Sequence, residues 1–344
     1  MTRPDVTVLG AGIFGLSIAW ACVQRGARVV VIDPHGVGAG ASGGLVGALC
    51  PHVPEAWNDK KAFQLHSLLM ADDWWQAVAA AGGGDAGYAR SGRLQPLADA
   101  RAVDAAQARA AEAAVLWQGR AAWQVVPTTG HAWEPHSPTG LLIKDDLSAR
   151  LHPRRALAAL VRAICAKGGA VVQDGCEAGL VVHATGMAGL AALTGATGVR
   201  QGGGVKGQAL TLHHAADGLP QVFVDGLHIV PHADGTVAIG STSENQWDDP
   251  TSTDAQLDAL HARAVAAMPV LAGAPVADRW AALRPRATSR APVLGAWPGR
   301  AGHFVANGGF KIGFGMAPLV AEVMADLVLS GVDRIPPAFR LSVK

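Results

Sequence analysis

The sequence has little cysteine and little charge. Four of its 344 residues are cysteine, and 16% are Asp, Glu, Lys or Arg. Cys22, Cys50, Cys165 and Cys176 form no pair at metal-ligand spacing, and the chain is too long for a small disulfide scaffold. We therefore predict no metal site and a cytoplasmic protein. Cys22 and Cys165 follow helical apolar patterns and are predicted to be core residues.

Neither sign of charge dominates, because 28 basic residues face 27 acidic ones and the net charge is +1. Nucleic acid and anionic membranes attract clearly basic proteins, so neither is an expected partner. Long hydrophobic runs are also missing. A glycine turn at Gly10 interrupts the N-terminal run, which predicts a strand and a helix rather than a signal peptide. The apolar segment 316–329 contains Glu322 and Asp326 and is too short to span a bilayer.

Glycine, in contrast, is abundant, with 43 residues, and its first cluster is the most informative part of the chain. The apolar run 6–9 leads into Gly10-x-Gly12-x-x-Gly15, and a helical pattern follows. In a βαβ dinucleotide-binding unit the first glycine permits the tight turn, the second lets a pyrophosphate approach the backbone, and the third allows close helix–strand packing. The helix N-terminus then presents N–H groups and partial positive charge to the phosphates.

The acidic residue that completes this fingerprint is Asp33, which ends the apolar run 27–32 and lies 23 positions after Gly10. A carboxylate at about 20 positions binds the ribose hydroxyls in such units. The alternative is a glycine-rich turn in an ordinary βαβ unit, and the terminal acid argues against it. The fingerprint alone does not distinguish FAD from NAD.

A second glycine-rich stretch covers residues 36–50. Its small residues alternate with leucine and valine, which disfavours a linker and favours backbone that lies close to a flat or charged group. A long helix is predicted over 59–81, where Trp74 and Trp75 are interpreted as core or interface residues rather than cofactor contacts.

The remaining patterns alternate between strand and helix. Parallel βαβ elements recur at the start, middle and end of the chain with antiparallel material between them, which indicates two domains built from discontinuous pieces. We predict helices over 99–119, 154–167, 253–268 and 316–329, strands over 91–97, 123–127, 140–145, 170–173, 178–184 and 303–306, and further strands within 205–242.

In this order, the motifs resemble the FAD-dependent amine and amino-acid oxidoreductases of the D-amino-acid oxidase, glycine oxidase and sarcosine oxidase group. The resemblance covers nearly the whole length. The matching pieces are Gly10–Gly15 with Asp33, Gly40–Gly44 with Gly47, Ser91–Leu94, the Pro153 helix start, Val182–Gly186, Val205–Gln208, His228–Pro231, Gly240–Thr242, Leu283–Pro285, Pro292–Gly295, and Ala306–Gly313 with the Ala317-Pro318 helix.

The resemblance implies an α/β fold in which a Rossmann-like FAD-binding domain is interleaved with an α+β substrate domain on a mainly antiparallel sheet. The implied FAD-binding domain comprises 1–85, 147–204 and 280–344. The substrate domain comprises 86–146 and 205–279.

The family also implies FAD rather than NAD. No His or Cys stands at the positions used for covalent attachment, so dissociable FAD is expected. In this interpretation the last glycine loop directs backbone N–H groups at the flavin, where a helix N-terminus favours the anionic reduced ring. The implied cofactor-binding residues are Gly10, Gly12, Ile13, Phe14, Gly15, Asp33, Pro34, Ser42, Gly43, Gly44, Gly47, Thr185, Gly186, Gly308, Gly309, Phe310, Lys311, Ile312 and Gly313.

Three residues are candidates for the substrate side. Arg284 stands where glycine-oxidase-like proteins bind the substrate carboxylate, and its alternative is a surface ion pair. Lys311 stands where many relatives carry Arg, as a second carboxylate contact or a charge that helps oxygen react, and its alternative is a solvated lysine. His52 is a candidate to face the flavin, and its alternative is a loop histidine.

The chain departs from the family pattern in three places. Only Gln173–Glu177 stand where relatives insert a β-meander that touches the adenine, which leaves that contact open. Ser289 replaces a common Asp, and Phe310 replaces a polar or hydroxyl-bearing residue. These last two changes leave the substrate open.

The implied function is oxidation of the C–N bond of a small amine or amino acid. A hydride passes to flavin N5, the imine product is hydrolysed, and oxygen or another carrier accepts the electrons. One alternative is the flavin domain of a tRNA wobble-uridine-modifying oxidase, which the neutral charge disfavours. The other is a non-catalytic FAD-binding partner subunit.

Overall fold

The computed structural model describes residues 3–82 and 84–341, which form two large sheets. The first sheet has six strands in the order β15-β16-β9-β1-β2-β8. All neighbours pair in parallel except β15 and β16. The strands are β1 (Val6–Leu9), β2 (Val29–Ile32), β8 (Ala170–Val172), β9 (Leu180–His183), β15 (Val293–Ala296) and β16 (His303–Asn307).

This sheet forms because its central strands are apolar on both faces, as expected for a buried parallel sheet. Val6 and Val8 of β1 are fully buried, and Val6 lies opposite Val29 of β2. Helix α1 (Ile13–Gln24) connects the two strands, and eleven of its residues are buried. The predicted Rossmann-like unit is therefore present.

The second sheet has eight strands in the order β14-β10-β13-β12-β11-β4-β6-β5. It is antiparallel except where β11 pairs with β4, as predicted for the substrate domain. Its strands are β4 (Arg93–Pro96), β5 (Trp123–Pro127), β6 (Leu141–Asp145), β10 (Gly202–His213), β11 (Gln221–Val224), β12 (Leu227–Pro231), β13 (Thr236–Gly240) and β14 (Val276–Ala287), and a small third sheet pairs β3 (Ala48–Leu49) with β7 (Ala149–Arg150).

The longest pairing in the molecule joins β10 to β14, from Gly202 opposite Ala287 to Leu212 opposite Val276. The predicted domain boundaries at 204/205 and 279/280 fall inside these two strands. Sequence patterns could not place them better, because the pairing of β10 with β14 joins distant segments of the chain. Arg284 thus lies on the second sheet, close to the loops that extend from the first.

The predicted helices are present, with a break in one of them, and a further helix over Gly186–Thr197 was not predicted. The predicted helix over 59–81 is two helices that meet at Met70, and no Gly or Pro at that point accounts for the break. Trp74 and Trp75 are 6% and 3% exposed, as predicted for core residues. The helices that follow α1 are α2 (Asp59–Leu69), α3 (Ala71–Gly82), α4 (Ala100–Leu116), α5 (Pro153–Ala166), α6 (Gly186–Thr197), α7 (Ala255–Ala267) and α8 (Gly313–Ser330).

Helix α8 is longer than the apolar segment 316–329 suggested. Within the described ranges it is the one helix whose length and composition would allow it to cross a membrane, and 56% of it is buried inside the protein. Its Glu322 and Asp326 pair with Arg25 of α1, at 2.7 and 3.1 Å. Core helices pass the same test of length and composition, and the packing of α8 against α1 and α2 is that of a core helix.

The two cysteines predicted to be core residues differ. Cys22 on α1 is fully buried, and burial raises its pKa to about 12. Cys165 is exposed, so that prediction was wrong. Helix α5 buries Leu160 and Ile164 on its inner face, and Cys165, one position after Ile164, points about 100° away from that face.

Candidate active site

One cavity, with a volume of about 370 Å³, is lined by both sheets. The first sheet contributes the start of α1 and the loop before α8, and the second contributes β10, β12, β13 and β14. Twelve of the predicted site residues line it, namely Gly12, Ile13, Phe14, Ser42, Gly44, Gly186, Arg284, Gly308, Gly309, Phe310, Lys311 and Gly313.

The first glycine cluster has the geometry that its spacing predicts. Gly10 has a φ of +104°, and a Cβ there would lie 2.4 Å from the backbone oxygen of Ala184. A Cβ on Gly15 would lie 1.9 Å from the oxygen of Gly10. Both residues therefore permit close backbone packing, and neither lines the cavity.

The N-terminus of α1 is open toward the cavity. Its N-cap, Gly12, has no side chain to satisfy the first N–H groups, and the first turn contains no acidic residue. One donor is used, because Ile13 N donates to Ser42 Oγ at 3.0 Å. That bond leaves the Ser42 hydroxyl proton free to donate to a phosphate oxygen.

Asp33 braces the glycine loop. Its Oδ2 accepts from Ala11 N at 2.8 Å, and its Oδ1 accepts from His35 N at 3.0 Å. Each oxygen retains a lone pair, so the ribose contact stays a prediction. Neither Asp33 nor Pro34 lines the cavity. Beyond β8, residues 173–179 lead directly to β9, and they form no strand that could act as the family meander.

The glycines of the 40–47 segment have two different roles. Gly44 lines the cavity, and a Cβ there would lie 3.2 Å from the indole of Trp280. A Cβ on Gly43 would lie 2.2 Å from the oxygen of Gly38, and one on Gly47 would lie 1.8 Å from the oxygen of Leu151. Gly43 and Gly47 are thus required by neighbouring backbone and do not line the cavity.

The loop before α8 approaches the cavity from the opposite side. Gly308 has a φ of +75°, and a Cβ there would lie 2.9 Å from Cβ of Ala287. Helix α8 begins at Gly313 without a side-chain cap and without an acidic residue in its first turn. Ile312, which precedes it, does not line the cavity. The positive end of a second helix dipole therefore reaches this wall.

The turn after β9 adds a smaller contribution. Gly186, at the start of α6, lines the cavity, and its oxygen accepts from Asn307 Nδ2 at 2.8 Å. Thr185 lies behind it, with Oγ1 2.6 Å from the position that a Cβ on Gly189 would take. Thr185 therefore supports the wall rather than lining it.

Arg284 is buried in the cavity wall with 7% exposure. Its Nη1 donates to Ser241 Oγ, and its Nη2 donates to the oxygens of Thr242 and, at 3.2 Å, Lys206. No carboxylate pairs with it within residues 3–82 and 84–341, and its Nε has no hydrogen-bond partner there. Burial lowers its pKa to about 10, which leaves the guanidinium charged at neutral pH. The alternative of a surface ion pair is wrong.

Positive charge surrounds one aromatic ring in the same wall. The Phe310 centroid lies 5.7 Å from Cζ of Arg284, 5.7 Å from Cζ of Arg286 and 5.8 Å from Nζ of Lys311. Lys311 as a whole is exposed, in line with the alternative of a solvated lysine, although partial desolvation of its ammonium, and then the charge on Arg284, lowers its pKa. The cavity therefore combines a hydrophobic ring with cations and favours an anionic group.

His228 on β12 also lines the cavity, and the sequence analysis gave it no role of its own. Its Nδ1 is buried and has no partner among the described residues. Burial, followed by the charges of Arg93 and Lys311, lowers its pKa to about 3, so the imidazole is neutral. A polar residue on a strand that otherwise reads Leu227-x-Ile-Val-Pro231 was the available signal.

His52 is placed elsewhere. It does not line the cavity, and its Nδ1 lies against Oε1 of Gln64 on α2, which also accepts from the backbone N of His52 at 2.8 Å. Burial lowers its pKa. This placement favours the alternative of a loop histidine.

The family model "FAD dependent oxidoreductase" (DAO) matches residues 5–327. The chain belongs to this family. FAD is therefore the cofactor, and the α/β fold with an interleaved antiparallel sheet is confirmed.

The chain is also similar to individual proteins of known sequence or structure. A glycine oxidase of Pseudomonas putida is 36% identical over 135 residues, which cover 39% of this chain and 37% of that protein. A tRNA 5-methylaminomethyl-2-thiouridine biosynthesis bifunctional protein of Maricaulis maris is 30% identical, over 96% of this chain and 53% of that protein. The chain thus spans between a third and about half of these relatives. The crystal structure of glycine oxidase from Geobacillus kaustophilus matches with a TM-score of 0.85 and 23% identity, over 99% of both chains.

The residues present fit FAD. The uncapped start of α1 and the Ser42 hydroxyl would hold the pyrophosphate. Gly44, Gly308 and Gly309 leave their part of the cavity wall without side chains, which would suit a flat ring system, and the start of α8 lies at the same cavity. Non-covalent attachment stays a prediction.

Proposed function

We propose that the protein oxidises the C–N bond of a small amino acid or carboxylate-bearing amine. The observation that carries this proposal is Arg284, a buried cation in the cavity wall whose partners are all neutral oxygens. Glu244 acts on this charge from beyond ion-pair distance. Burying a charge without a direct ion-pair partner is costly, and a substrate carboxylate would reduce that cost.

Arg284 binds the carboxylate through its guanidinium, whose planar donors match two carboxylate oxygens. Its position is fixed on both sides. A Cβ on Gly207 would lie 2.2 Å from Cζ of Arg284, so the guanidinium packs directly on the Gly207 backbone, and Ser241 anchors Nη1. The Arg284 guanidinium is therefore held in place before substrate binds, which lowers the entropy cost of orienting the substrate carboxylate.

His228 orients the amine rather than acting as its base. A pKa of about 3 makes the imidazole a weak base at neutral pH, while its unpartnered Nδ1 can still exchange a hydrogen bond with the substrate nitrogen. Lys311 places a second cation at the cavity, which favours the anionic carboxylate and disfavours a protonated amine. Substrate thus reacts with its nitrogen neutral.

When bound, FAD supplies the acceptor for the hydride that leaves the substrate carbon. The chain contributes position and electrostatics. The N-terminus of α8 directs partial positive charge into the cavity, where negative charge develops during oxidation. Oxygen or another carrier is the proposed final electron acceptor.

The test is an anaerobic substrate screen on the purified flavoprotein. We expect flavin absorbance to bleach with glycine, sarcosine or another small amino acid, and not with 2-hydroxy acids of the same size. Each amino acid is paired with the amine that lacks its carboxylate. Bleaching by amines alone, or by no C–N compound, would contradict the proposal, and the second result would favour a non-catalytic FAD-binding subunit.

The Maricaulis maris relative supports a second candidate, oxidation of an amino-acid-like side chain on tRNA. Such a substrate would offer the same carboxylate to Arg284. The net charge of +1 gives no support for binding the phosphate backbone. A salt-sensitive shift of tRNA on a native gel, together with flavin bleaching by that tRNA, is the outcome that would favour it over a free amino acid.

A further inference from the structure

Two histidines and one aspartate meet beside Pro153, a residue of the cavity wall, where the start of α5 meets the second sheet. His152 is the N-cap of α5, in the first-sheet part of the chain. His232 and Asp234 belong to the turn between β12 and β13 of the second sheet. One ligand atom from each residue lies within 4.8 Å of the others, and His152 Nε2 lies 3.6 Å from Asp234 Oδ2.

The hydrogen bonds around His232 fix which nitrogen carries its proton. Thr236 Oγ1 donates its single proton to Asp234 Oδ1 at 2.7 Å, because an ionised carboxylate only accepts. Thr236 Oγ1 must then accept from His232 Nδ1, at 3.3 Å. The lone pair of His232 is consequently on Nε2, which is buried and has no partner in the described part of the chain.

An unpartnered imidazole lone pair is costly in this environment, since His232 is 1% exposed. Burial lowers the pKa of His232 to about 4 and also lowers that of His152, so both rings are neutral at physiological pH. Neutral imidazole is the form that binds metal ions.

His152 can become a metal ligand at modest cost. Its Nδ1 accepts from Arg155 N at 3.5 Å, which is a long and weak cap. Moving its proton from Nε2 to Nδ1 would give up this cap and free Nε2 for a metal. Asp234 stabilises the β12–β13 turn through Oδ1, which accepts from Thr236 N at 3.1 Å as well as from Thr236 Oγ1. Its Oδ2 takes no part in these hydrogen bonds and can bind a metal ion.

The arginines that face this cluster each pair with an aspartate outside it. Arg150, Arg154 and Arg155 all act on one or both imidazoles. Arg150 pairs with Asp217, Arg154 with Asp278 at 2.7 Å, and Arg155 with Asp85 at 2.6 Å. Their positive charges are therefore partly neutralised before any ion arrives.

We propose that His152 Nε2, His232 Nε2 and Asp234 Oδ2 form a binding site for a divalent transition metal ion such as Zn²⁺. Two imidazoles and one carboxylate suit zinc and its first-row neighbours, whereas Ca²⁺ and Mg²⁺ prefer oxygen ligands alone. Two ligand atoms of one tetrahedral Zn²⁺ lie about 3.3 Å apart, so the cluster, whose ligand atoms lie within 4.8 Å of one another, needs to contract by up to about 1.5 Å. Water takes the fourth position on the exposed side at Asp234.

The position of the site gives the ion a structural role. It joins the start of α5 to the β12–β13 turn, and so connects the two sheets. The adjacent Pro153 lines the cavity, and Leu151 N donates to the oxygen of Gly47 at 3.0 Å. A bound ion would hold this part of the wall in place without contacting substrate.

The test uses the FAD-loaded protein, stripped with EDTA, incubated with Zn²⁺ and desalted before metal analysis. We expect about one Zn²⁺ per chain and a rise in Tm, since an ion that binds only the folded state stabilises it. His232→Gln and Asp234→Asn should each weaken Zn²⁺ binding at least about tenfold. Asn at 234 can still accept from Thr236, so this variant should fold.

The exposed His136, which lies outside the cluster, provides the control. His136→Gln should bind Zn²⁺ as the parent protein does. The proposal is overturned if the parent retains no Zn²⁺, or if His232→Gln and Asp234→Asn, with normal FAD content, bind it as tightly as the parent. Loss of binding in His136→Gln would equally overturn it.

Discussion

Replacing Arg284 with glutamine should abolish recognition of the substrate carboxylate while leaving the cofactor in place. The guanidinium offers a carboxylate two charge-assisted hydrogen bonds, each of which contributes about 1.5–3 kcal/mol. Together they give about 3–6 kcal/mol, and since about 1.4 kcal/mol corresponds to a factor of ten, kcat/KM for an amino acid should fall by about 10² to 10⁴.

The assay compares rates of anaerobic flavin reduction for two substrates that differ only in the carboxylate, glycine and methylamine. Arg284→Gln should lose most of its rate with glycine and little of its slow rate with methylamine. Because Arg284 is buried and anchors Ser241 and Thr242, FAD content and Tm are measured in parallel. Arg284→Lys retains the charge without the planar guanidinium. Its rate with glycine should therefore lie between that of the parent protein and that of Arg284→Gln.

Arg286 offers a matched control, since its Cζ lies at the same 5.7 Å from the Phe310 ring but it does not line the cavity. Its Nη2 donates to Asn245 Oδ1 at 3.2 Å. Arg286→Gln should change kcat/KM for glycine less than about threefold, as expected for a substitution away from the substrate. Equal losses for glycine and methylamine in Arg284→Gln, or equal effects at 284 and 286, would refute the assignment.

Three further predictions concern the cofactor and pH. Gly12→Val should yield folded protein without FAD, because a Cβ already lies 3.1 Å from Ser42 Oγ and two methyl groups would fill the phosphate site; a normal flavin spectrum would contradict this. Ser42→Ala should weaken FAD binding about five- to tenfold, measured by fluorescence titration, since it removes about 1 kcal/mol of hydrogen bonding. Burial lowers the pKa of His183 to about 4 and of His228 to about 3, below the ordinary 6.5, so the unfolded chain takes up protons first as pH falls. Tm should therefore decrease from about pH 6.5 toward pH 4, and less steeply in His228→Gln; an unchanged slope would exclude His228 as a cause.

The parts of the fold that sequence could predict are those that local chemistry determines. Gly10 and Gly15 each meet a steric requirement set by nearby backbone, as their spacing indicated, while the approach of a pyrophosphate to Gly12 stays a prediction. The uncapped starts of α1 and α8 are also determined by local chemistry. The break at Met70 is not, because nothing in its local sequence marks it. The two domain boundaries are not either, because they fall within the paired strands β10 and β14.

The substrate side of the site was less predictable because its residues come from distant segments. Arg284 was found through a motif, but its neutral partners Ser241 and Thr242 are brought to it only because β10 pairs with both β13 and β14. His228 acquires its low pKa from burial next to Arg93 and Lys311, which lie 135 positions before it and 83 positions after it. No spacing rule connects such residues.

The histidine cluster is the strongest case of this limit. Sequence reasoning searched for metal ligands at short spacing and found none, whereas His152 and His232 lie 80 positions apart, one at the start of α5 and the other in the β12–β13 turn. What brings them together is the packing of the β12–β13 turn against the start of α5, next to Pro153 of the cavity wall. A ligand set across such a contact depends on correct assembly of both sheets, so bound Zn²⁺ would report on their association as well as on the three side chains themselves.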